Sequence, residues 1–309
     1  MHDTINIDLP QGDFVKKTLL LTKTLLLIFI LTSCISEPIE EIIEEIPSTC
    51  EETYDDRIIT FCDDFLANDN VNDNGIDTTK WAFQTGDGSQ YGIPGWGNNE
   101  AQYYREENAF VEDGLLNIQL KNEGYDGKFY TSARLWTNNI FSQTYGRFEA
   151  RIKLPIGDGL WPAFWLLPDN TTYGTWAANG EIDIMEARGR IPNEASGAIH
   201  YGGMWPNNVY SSETYTFPMG QTINDFHVYA IEWTENKIQW FVNDQLYYET
   251  SDWYSENGAY PAPFNTDFYI ILNLAVGGTF DGNILPDPAI FNLPVLMQVD
   301  YVRVFQYFV

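Results

Sequence analysis

The chain has 309 residues and is strongly acidic, with 44 Asp and Glu against 16 Lys and Arg and a formal net charge of −28. The length fits one large domain or two ordinary ones, and a hydrophobic fraction of 44% excludes a wholly disordered chain. The acidity argues against nucleic acid as a partner, because nucleic acid selects basic surfaces. With only three His and three Cys, a multi-ligand zinc or iron–sulfur site is not expected.

The first 33 residues have the features of a secretory signal peptide. Two lysines precede an apolar core whose uninterrupted part, residues 25–31, is too short for a stable membrane span. The core ends in Leu-Thr-Ser-Cys34, which resembles the lipobox of bacterial lipoproteins, where cleavage leaves a lipid-carrying cysteine. We therefore expect an extracytoplasmic protein, anchored through lipidated Cys34 to a bacterial outer membrane or cell surface. An ordinary signal peptide with a chance cysteine is the alternative.

Residues 34–56 are predicted to form an acidic tether. Nine Asp and Glu and no Lys or Arg occur between residues 35 and 56. Such a segment cannot bury a core, and its charges repel one another into an extended conformation. Lipidation of Cys34 would leave Cys50 and Cys62, which either form a disulfide or stay apart. The sequence leaves both possibilities open, because it does not show the geometry that a disulfide requires.

Residues 57–309 follow a hydrophobic period of two, which indicates β-strands. Apolar and polar residues alternate in residues 116–121 and 147–154, and residues 268–274 and 298–306 form two further strands. Asn243-Asp244 separates two such runs and predicts a hairpin turn. Many short strands without helical periodicity predict a single all-β domain, a β-sandwich or jelly roll.

The sharpest local signal is the acidic segment Gly-Glu-Ile-Asp-Ile-Met-Glu at residues 180–186. On a strand, Glu181 and Asp183 project to one face while the two isoleucines enter the core. Glu186 needs a β-bulge at residues 184–185 to reach the same face. Crowding would then push the pKa values of the three carboxyls apart, which suits a glycosidase with one ionised nucleophile and one protonated acid. A solvated acidic face on an edge strand is the alternative interpretation of this segment alone.

The surrounding segments resemble glycoside hydrolase family 16, whose members are β-jelly rolls that act with retention. In chain order, the similar segments are residues 96–104, 130–134, 146–151, 159–168, 200–208, 272–278 and 300–304. The resemblance implies a catalytic domain over residues 57–309, built as a jelly-roll sandwich of two antiparallel sheets with a concave substrate cleft. The bulged acidic segment is similar to that of the laminarinase and agarase branches. Residues 96–104 and 200–208 look most like those of β-1,3-glucanases.

The resemblance also implies roles for individual residues. Glu181 matches the nucleophile, Asp183 the carboxylate that tunes and orients it, and Glu186 the acid/base. Seven residues fall where the family lines its sugar subsites: Asn98, Arg134, Trp161, Trp165, Trp176, His200 and Trp205.

The chemistry of these subsite residues agrees with sugar binding. Indole rings can pack against the apolar faces of sugars, while Asn, Arg and His can bond their hydroxyl groups. Purely structural roles for some of these residues agree equally well with the sequence. Trp165 and Trp176 can be ordinary core aromatics, because large aromatic side chains are highly buried on average. Arg134 can serve in an ion pair, and His200 can be structural.

Asp64 and Asp300 resemble the structural calcium site of many family members, and hard oxygen ligands suit calcium. No cofactor is required for the expected chemistry. The sequence as a whole predicts a membrane-tethered, monomeric, retaining endo-β-1,3-glucanase acting on laminarin-type polysaccharide. One alternative is the same mechanism on mixed-linkage glucan or an algal galactan. The other is a non-catalytic glycan-binding lipoprotein, against which the intact set of three carboxylates argues.

Overall fold

The computed structural model describes residues 48–308. The predicted signal peptide, Cys34 and the first part of the predicted tether therefore lie outside the described residues. Within residues 48–308, no helix combines the length and the apolar character needed to cross a bilayer. The lipid anchor and the extracytoplasmic location stay predictions.

The described part of the chain consists of short strands and a few single turns of 3₁₀-helix. The strands are β1 (Arg57–Asp63), β2 (Ala82–Phe83), β3 (Gln102–Tyr104), β4 (Ala109–Glu112), β5 (Leu115–Tyr125), β6 (Lys128–Ser132), β7 (Arg134–Trp136), β8 (Gly146–Lys153), β9 (Leu160–Pro168), β10 (Glu181–Glu186), β11 (Glu194–Gly202), β12 (Asn208–Thr216), β13 (His227–Trp233), β14 (Ile238–Val242), β15 (Gln245–Thr250), β16 (Phe268–Val276) and β17 (Val295–Tyr307). The 3₁₀-helices span Thr49–Glu51, Ser89–Tyr91, Pro94–Gly97, Glu106–Asn108, Thr279–Asp281 and Pro288–Asn292. The predicted hairpin is confirmed, because Asn243 and Asp244 join β14 to β15 with φ angles of 50° and 62°, as a type I′ turn requires.

The strands form two sheets. The larger sheet has the order β15-β14-β13-β8-β17-β5-β6-β3, with β1 beside β17 and β4 beside β5. The smaller sheet has the order β12-β11-β10-β9-β16-β7-β2. Strands distant in the sequence thus become neighbours, as in a jelly roll, and the predicted fold class is confirmed. One detail differs from the expectation of purely antiparallel sheets, because β3 pairs with β6 in parallel.

The hydrophobic core fills the space between the sheets. On β16, the even-numbered residues from Phe268 to Val276 join this core. On the neighbouring strand β9, Phe164 and Leu166 do the same. Because side chains alternate along a strand, Trp161 and Trp165 lie on the opposite face of the smaller sheet. That outward face carries the residues expected in the substrate cleft.

The outward face of β8 in the larger sheet is more buried than its alternating pattern predicts. Arg147 Nε donates to Glu149 Oε2 at 2.7 Å, and Arg303 Nη2 donates to Glu149 Oε1 at 2.7 Å. Arg147 Nη2 also donates to Asp244 Oδ1 at 2.6 Å. Arg147, Glu149 and Arg303, here named the outer-sheet ion cluster, are buried together because their opposite charges satisfy one another.

Residues 48–56, which the sequence assigns to the tether, lie against the domain. Cys50 and Cys62 form a disulfide, with their Cα atoms 5.5 Å apart. Glu52 Oε2 accepts a hydrogen bond from Arg303 Nη1 at 2.8 Å. A disulfide and an ion pair thus hold this segment against the domain, although its composition is that of a tether.

Candidate active site

Strand β10 presents three carboxylates on the face opposite to the core. Its pairing with β9 skips Ile184, which is the extra residue of a β-bulge. Ile184 and Met185 both join the core, so Glu186 returns to the face that carries Glu181 and Asp183. The predicted bulge is confirmed. Glu181, Asp183 and Glu186 are named the carboxylate trio below.

Each glutamate of the trio accepts a hydrogen bond from a tryptophan. Trp176 Nε1, from the loop before β10, donates to Glu181 Oε2 at 2.8 Å. Trp161 Nε1, from β9, donates to Glu186 Oε1 at 2.9 Å. The bonds orient the two carboxyl groups and favour their charged forms.

Asp183 lies in the middle of the trio and faces His200. His200 Nε2 is 3.4 Å from Asp183 Oδ2 and 3.7 Å from Glu181 Oε1. Strand pairing explains the contact, because His200 on β11 lies directly opposite Glu181. The imidazole also stacks on Tyr210 of β12, with ring centroids 5.6 Å apart. Among the ion pairs within residues 48–308, those of His200 are the only ones that reach the trio.

Burial and mutual repulsion raise the pKa values of both glutamates. Burial first, and then the charge of Asp183, raises the pKa of Glu181 to about 7 and that of Glu186 to about 8. Burial opposes a charge on His200, but the hydrogen bond to Asp183 and the charges of the trio raise its pKa to about 9. Both glutamates therefore hold a proton more firmly than a free carboxyl group does, and His200 is positively charged near neutral pH.

Arg134 and Trp165 form a second group on the same face. The Arg134 guanidinium lies 4.6 Å from the ring centroid of Trp96 and 4.8 Å from that of Trp165, in a cation–π arrangement. Arg134 Nε donates to Gln84 Oε1 at 2.6 Å, and Trp165 Nε1 donates to Asn273 Oδ1 at 2.7 Å. This group adjoins the trio, because Trp165 is the β9 partner of Asp183.

Trp176 and Trp205 form an exposed aromatic wall. Their side chains are 40% and 71% exposed, and their ring centroids lie 6.5 Å apart. A core position for Trp176 is therefore wrong. Asn98 is also exposed, and its backbone carbonyl accepts a hydrogen bond from Thr279 N at 2.8 Å. The trio, His200, Trp161 and Trp176 thus form one contact group, with Trp205 at its rim.

A buried polar network lies beneath Arg134 and was not predicted from the sequence. Glu100 is buried, and its Oε2 accepts a hydrogen bond from the Tyr104 hydroxyl at 3.1 Å. Asn273 Nδ2 donates to the same hydroxyl at 3.1 Å, which connects the network to Trp165. Asn273 had a detectable signal, since it is the one polar side chain in the apolar run that became β16.

The residues at the predicted calcium position do not fit that ion. Asp64 Oδ2 accepts hydrogen bonds from Ser48 Oγ at 2.5 Å and from Thr49 N at 3.0 Å. Asp300 Oδ2 pairs with Arg151 Nη1 at 2.6 Å. The guanidinium group therefore takes the position beside Asp300 that a calcium ion would need. The two aspartates are therefore satisfied by separate partners within the chain.

One group in the described part of the chain has the spacing of metal ligands. Glu181, Asp183 and His200 each place a ligand atom within 4.8 Å of the others. Attraction between a protonated His200 and the two carboxylates accounts for this spacing. We therefore interpret the group as an ion-pair arrangement around the carboxylate trio.

Comparison with known proteins agrees with this geometry. The model for the glycosyl hydrolases family 16 matches residues 97–283. The chain is 46% identical over 256 residues to the glucan endo-1,3-beta-glucosidase A1 of Niallia circulans, an alignment that covers 77% of this chain and 37% of that protein. It is 44% identical over 248 residues to the beta-glucanase of Rhodothermus marinus, covering 75% of this chain and 80% of the relative.

A solved structure shows the same fold. The X-ray structure of the laminarinase from Rhodothermus marinus superposes with a TM-score of 0.71 at 41% identity, covering 82% of this chain and 98% of that one. Family match, shared fold and the carboxylate trio lead to one conclusion. This chain belongs to glycosyl hydrolases family 16.

Proposed function

We propose that this chain is a retaining endo-β-1,3-glucanase that cleaves laminarin-type polysaccharide. The observation that carries the proposal is the carboxylate trio, in which burial and mutual repulsion raise the pKa values of Glu181 and Glu186 well above the usual range. A double displacement at an acetal needs two carboxyl groups in different protonation states. The relatives named for glucan endo-1,3-hydrolysis and laminarinase activity support the substrate class.

In the first step, a Glu181 oxygen attacks the anomeric carbon while Glu186 protonates the glycosidic oxygen. The glycosidic bond breaks, the leaving sugar departs as an alcohol, and a covalent glycosyl-enzyme forms on Glu181. Glu186 becomes a carboxylate during this step. The indole N–H of Trp161 stabilises that negative charge, because it already donates to Glu186 Oε1.

In the second step, the Glu186 carboxylate takes a proton from a water molecule. The water oxygen attacks the anomeric carbon, and the bond to Glu181 breaks. Two inversions in sequence leave the new reducing end in the β configuration. Carboxyl groups of this chain thus act as the nucleophile and make both proton transfers.

Asp183 and His200 tune the two glutamates in this proposal. The charge of Asp183 is, after burial, the largest influence that raises the pKa of Glu186. Asp183 therefore keeps the acid protonated before the first step. The positive charge of His200 acts in the opposite direction on both glutamates, which helps Glu181 to ionise.

The cleft surface suits a neutral sugar chain. Trp176 and Trp205 present exposed rings to which the apolar faces of sugars can bind. Arg134 and Asn98 supply donors for hydroxyl groups beside the trio. We also assign Trp161, Trp165 and His200 to the sugar subsites. We further propose that the protein is a monomer.

A reducing-sugar assay on laminarin, lichenan, agarose and carrageenan tests the substrate class. We expect the fastest release from laminarin, as a ladder of short oligosaccharides, with β-anomeric reducing ends first in proton NMR spectra. Rapid cleavage of agarose without cleavage of laminarin would overturn the substrate assignment, and an early excess of the α-anomer would overturn retention. Binding without cleavage of any polysaccharide would favour the non-catalytic alternative.

We also propose that lipidated Cys34 anchors the protein and that residues 34–47 act as its tether. The support is the lipobox-like sequence that ends at Cys34. We expect the full chain to sediment with membranes when expressed in a bacterium, and Cys34→Ala to abolish this, because the acyl chains supply the attachment. Ser36→Ala, just outside the motif, is the control. Recovery of the unaltered protein wholly in the medium would contradict the anchor.

A further inference from the structure

A stack of side chains begins and ends beside Glu186. Trp161 Nε1 donates to Glu186 Oε1 at 2.9 Å, and the Trp161 ring stacks on Phe280 with centroids 4.9 Å apart and planes 23° apart. The Arg188 guanidinium lies over the Phe280 ring, 4.0 Å from its centroid. Arg188 is two residues beyond Glu186 in the chain. The contacts therefore close a ring from the carboxyl group through two aromatic rings and a guanidinium back to the same stretch of backbone.

The loop that carries Phe280 is fixed from two sides. Arg188 Nε donates to the Phe280 backbone carbonyl at 3.0 Å. The neighbouring Asp281 is completely buried, and its Oδ1 accepts a hydrogen bond from Arg190 Nε at 2.7 Å. These bonds restrict the position of the Phe280 ring relative to the end of β10.

Gly278 lets this loop approach the indole closely. Its φ is 76°, and a Cβ at this position would stand 2.7 Å from Trp161 Cζ3. Any larger residue would push the indole away, so the close packing of loop and ring depends on glycine here.

Phe280, Arg188 and Glu194 line one small cavity together with Glu186. The groups that most affect the pKa of the Glu186 carboxyl are Asp183 and Glu181 on β10 and His200 on β11, and its hydrogen-bond donor is Trp161 of β9. Phe280 can therefore act on Glu186 through Trp161 or through the cavity that they share. A double-mutant cycle with Trp161 separates the two routes.

We propose that Phe280 and Arg188 are positioning residues that hold Trp161 so that its indole N–H stays bonded to the Glu186 carboxyl. The inference rests on the proposed function for the role of Glu186 as the acid/base. The bond matters most when Glu186 has given up its proton, because the donor then faces a full negative charge. A loosened indole would therefore slow the chemical step more than it weakens substrate binding.

Phe280→Leu is the primary test, because it keeps apolar volume but removes the flat ring. Loss of the Trp161 donor disfavours the charged form of Glu186, so the pKa of Glu186 rises. We expect a higher pKa in a carboxyl ¹³C NMR titration, with the Glu186 signal assigned from Glu186→Gln. We also expect the alkaline limb of kcat/KM to move to higher pH, and kcat to fall by about 10- to 100-fold with little change in KM.

Phe291→Leu is the matched control. Phe291 is also a half-buried phenylalanine on a 3₁₀-helix, and it stacks on Tyr130 instead of on Trp161. We expect it to leave the pKa of Glu186 and kcat unchanged. Arg188→Lys, which keeps the charge and loses the planar stack, should move the pKa in the same direction as Phe280→Leu. It also serves as the test if Phe280→Leu does not fold.

A double-mutant cycle tests the route through the indole. Trp161→Phe keeps an aromatic ring but lacks the N–H, so it should itself raise the pKa of Glu186. Phe280→Leu should then add no further change in that background. A shift of equal size in both backgrounds would overturn the proposed route.

The outcomes separate this inference from the proposed function. If the unaltered protein cleaves no β-1,3-glucan, the proposed function fails, while the NMR titration still decides whether the stack positions Trp161. If the protein cleaves laminarin but Phe280→Leu and Arg188→Lys leave both the titration and the alkaline limb unchanged, the positioning role is wrong and the function stands.

Discussion

The two sheets both bury charged side chains, but they combine the charges differently. In the outer-sheet ion cluster, two guanidinium groups each lie 2.7 Å from an oxygen of Glu149. In the cleft of the smaller sheet, three carboxylates crowd together, and the imidazole of His200 lies 3.7 Å from Glu181 and 3.4 Å from Asp183. Opposite charges in the first region satisfy one another, whereas like charges in the second raise pKa values and leave the groups reactive.

This difference means that one chemical change should have two separate consequences. A Glu149→Gln substitution removes the anion that Arg147 and Arg303 share, which costs stability although each guanidinium keeps a second carboxylate partner. The same substitution in the carboxylate trio removes a repelling charge, so it costs catalysis and spares the fold. The predictions below run from the largest expected effect to the smallest.

Glu181→Gln and Glu186→Gln should each lower kcat on laminarin by roughly 10³- to 10⁵-fold, because each removes an essential chemical group. Their unfolding temperatures should equal or exceed that of the unaltered protein, since repulsion within the trio is relieved. Steady-state kinetics with parallel thermal melts provide the check. If either variant kept nearly full turnover, the substituted glutamate would have no essential role in the mechanism.

Asp183→Asn should shift the pH dependence of catalysis toward acid. Removing the Asp183 charge lowers the pKa of Glu186, so the acid loses its proton at lower pH. The alkaline limb of kcat/KM therefore moves to lower pH. His200 also loses part of its charge, which offsets the shift in part. Above neutral pH we expect kcat/KM to fall by about 10- to 100-fold. A stationary alkaline limb would contradict the tuning role.

Glu149→Gln should lower the free energy of unfolding by about 2 kcal/mol, because Arg147 and Arg303 lose their shared anion but keep Asp244 and Glu52 as partners. Its kcat should stay within about twofold of the unaltered value, since the cluster lies on the other sheet. Urea denaturation and laminarin kinetics measure the two quantities. A loss of turnover at unchanged stability would contradict the view that the outer-sheet ion cluster supports stability and the carboxylate trio supports catalysis.

Trp205→Ala should have the smallest effect. Loss of one exposed aromatic contact is worth about 0.5–1.5 kcal/mol, so KM for laminarin should rise by about 2- to 12-fold with kcat nearly unchanged. Phe308→Ala is the control, because Phe308 is also exposed and lies at the end of the chain beyond β17. Equal KM values for the two variants would show that Trp205 does not contact the substrate.

The sequence predicted what depends on local pattern. Alternation gave the strands, and the spacing of Glu181 and Glu186 required the bulge that the structure contains. The network of Glu100 and Asn273 and the Phe280 stack could not be predicted in this way. Each joins segments far apart in the sequence, and the contacts exist only because non-consecutive strands become neighbours.

Two further features could not be predicted for the same physical reason. The composition of residues 48–56 did not indicate that they lie against the domain, because their attachment depends on the disulfide from Cys50 to Cys62. The calcium assignment did not foresee that Arg151 on β8 meets Asp300 on β17 across the sheet. Composition describes what a segment prefers by itself, whereas these positions are decided by partners from other strands.

The central claim is that Glu181 is the nucleophile and Glu186 the acid/base. Azide rescue of Glu181→Ala tests it most directly, with an aryl β-laminaribioside whose good leaving group needs no acid. Azide should enter from the face that the Glu181 carboxylate has vacated and give the α-glycosyl azide. A β-glycosyl azide would show that the glycosyl-enzyme still forms without Glu181, and it would contradict the assignment.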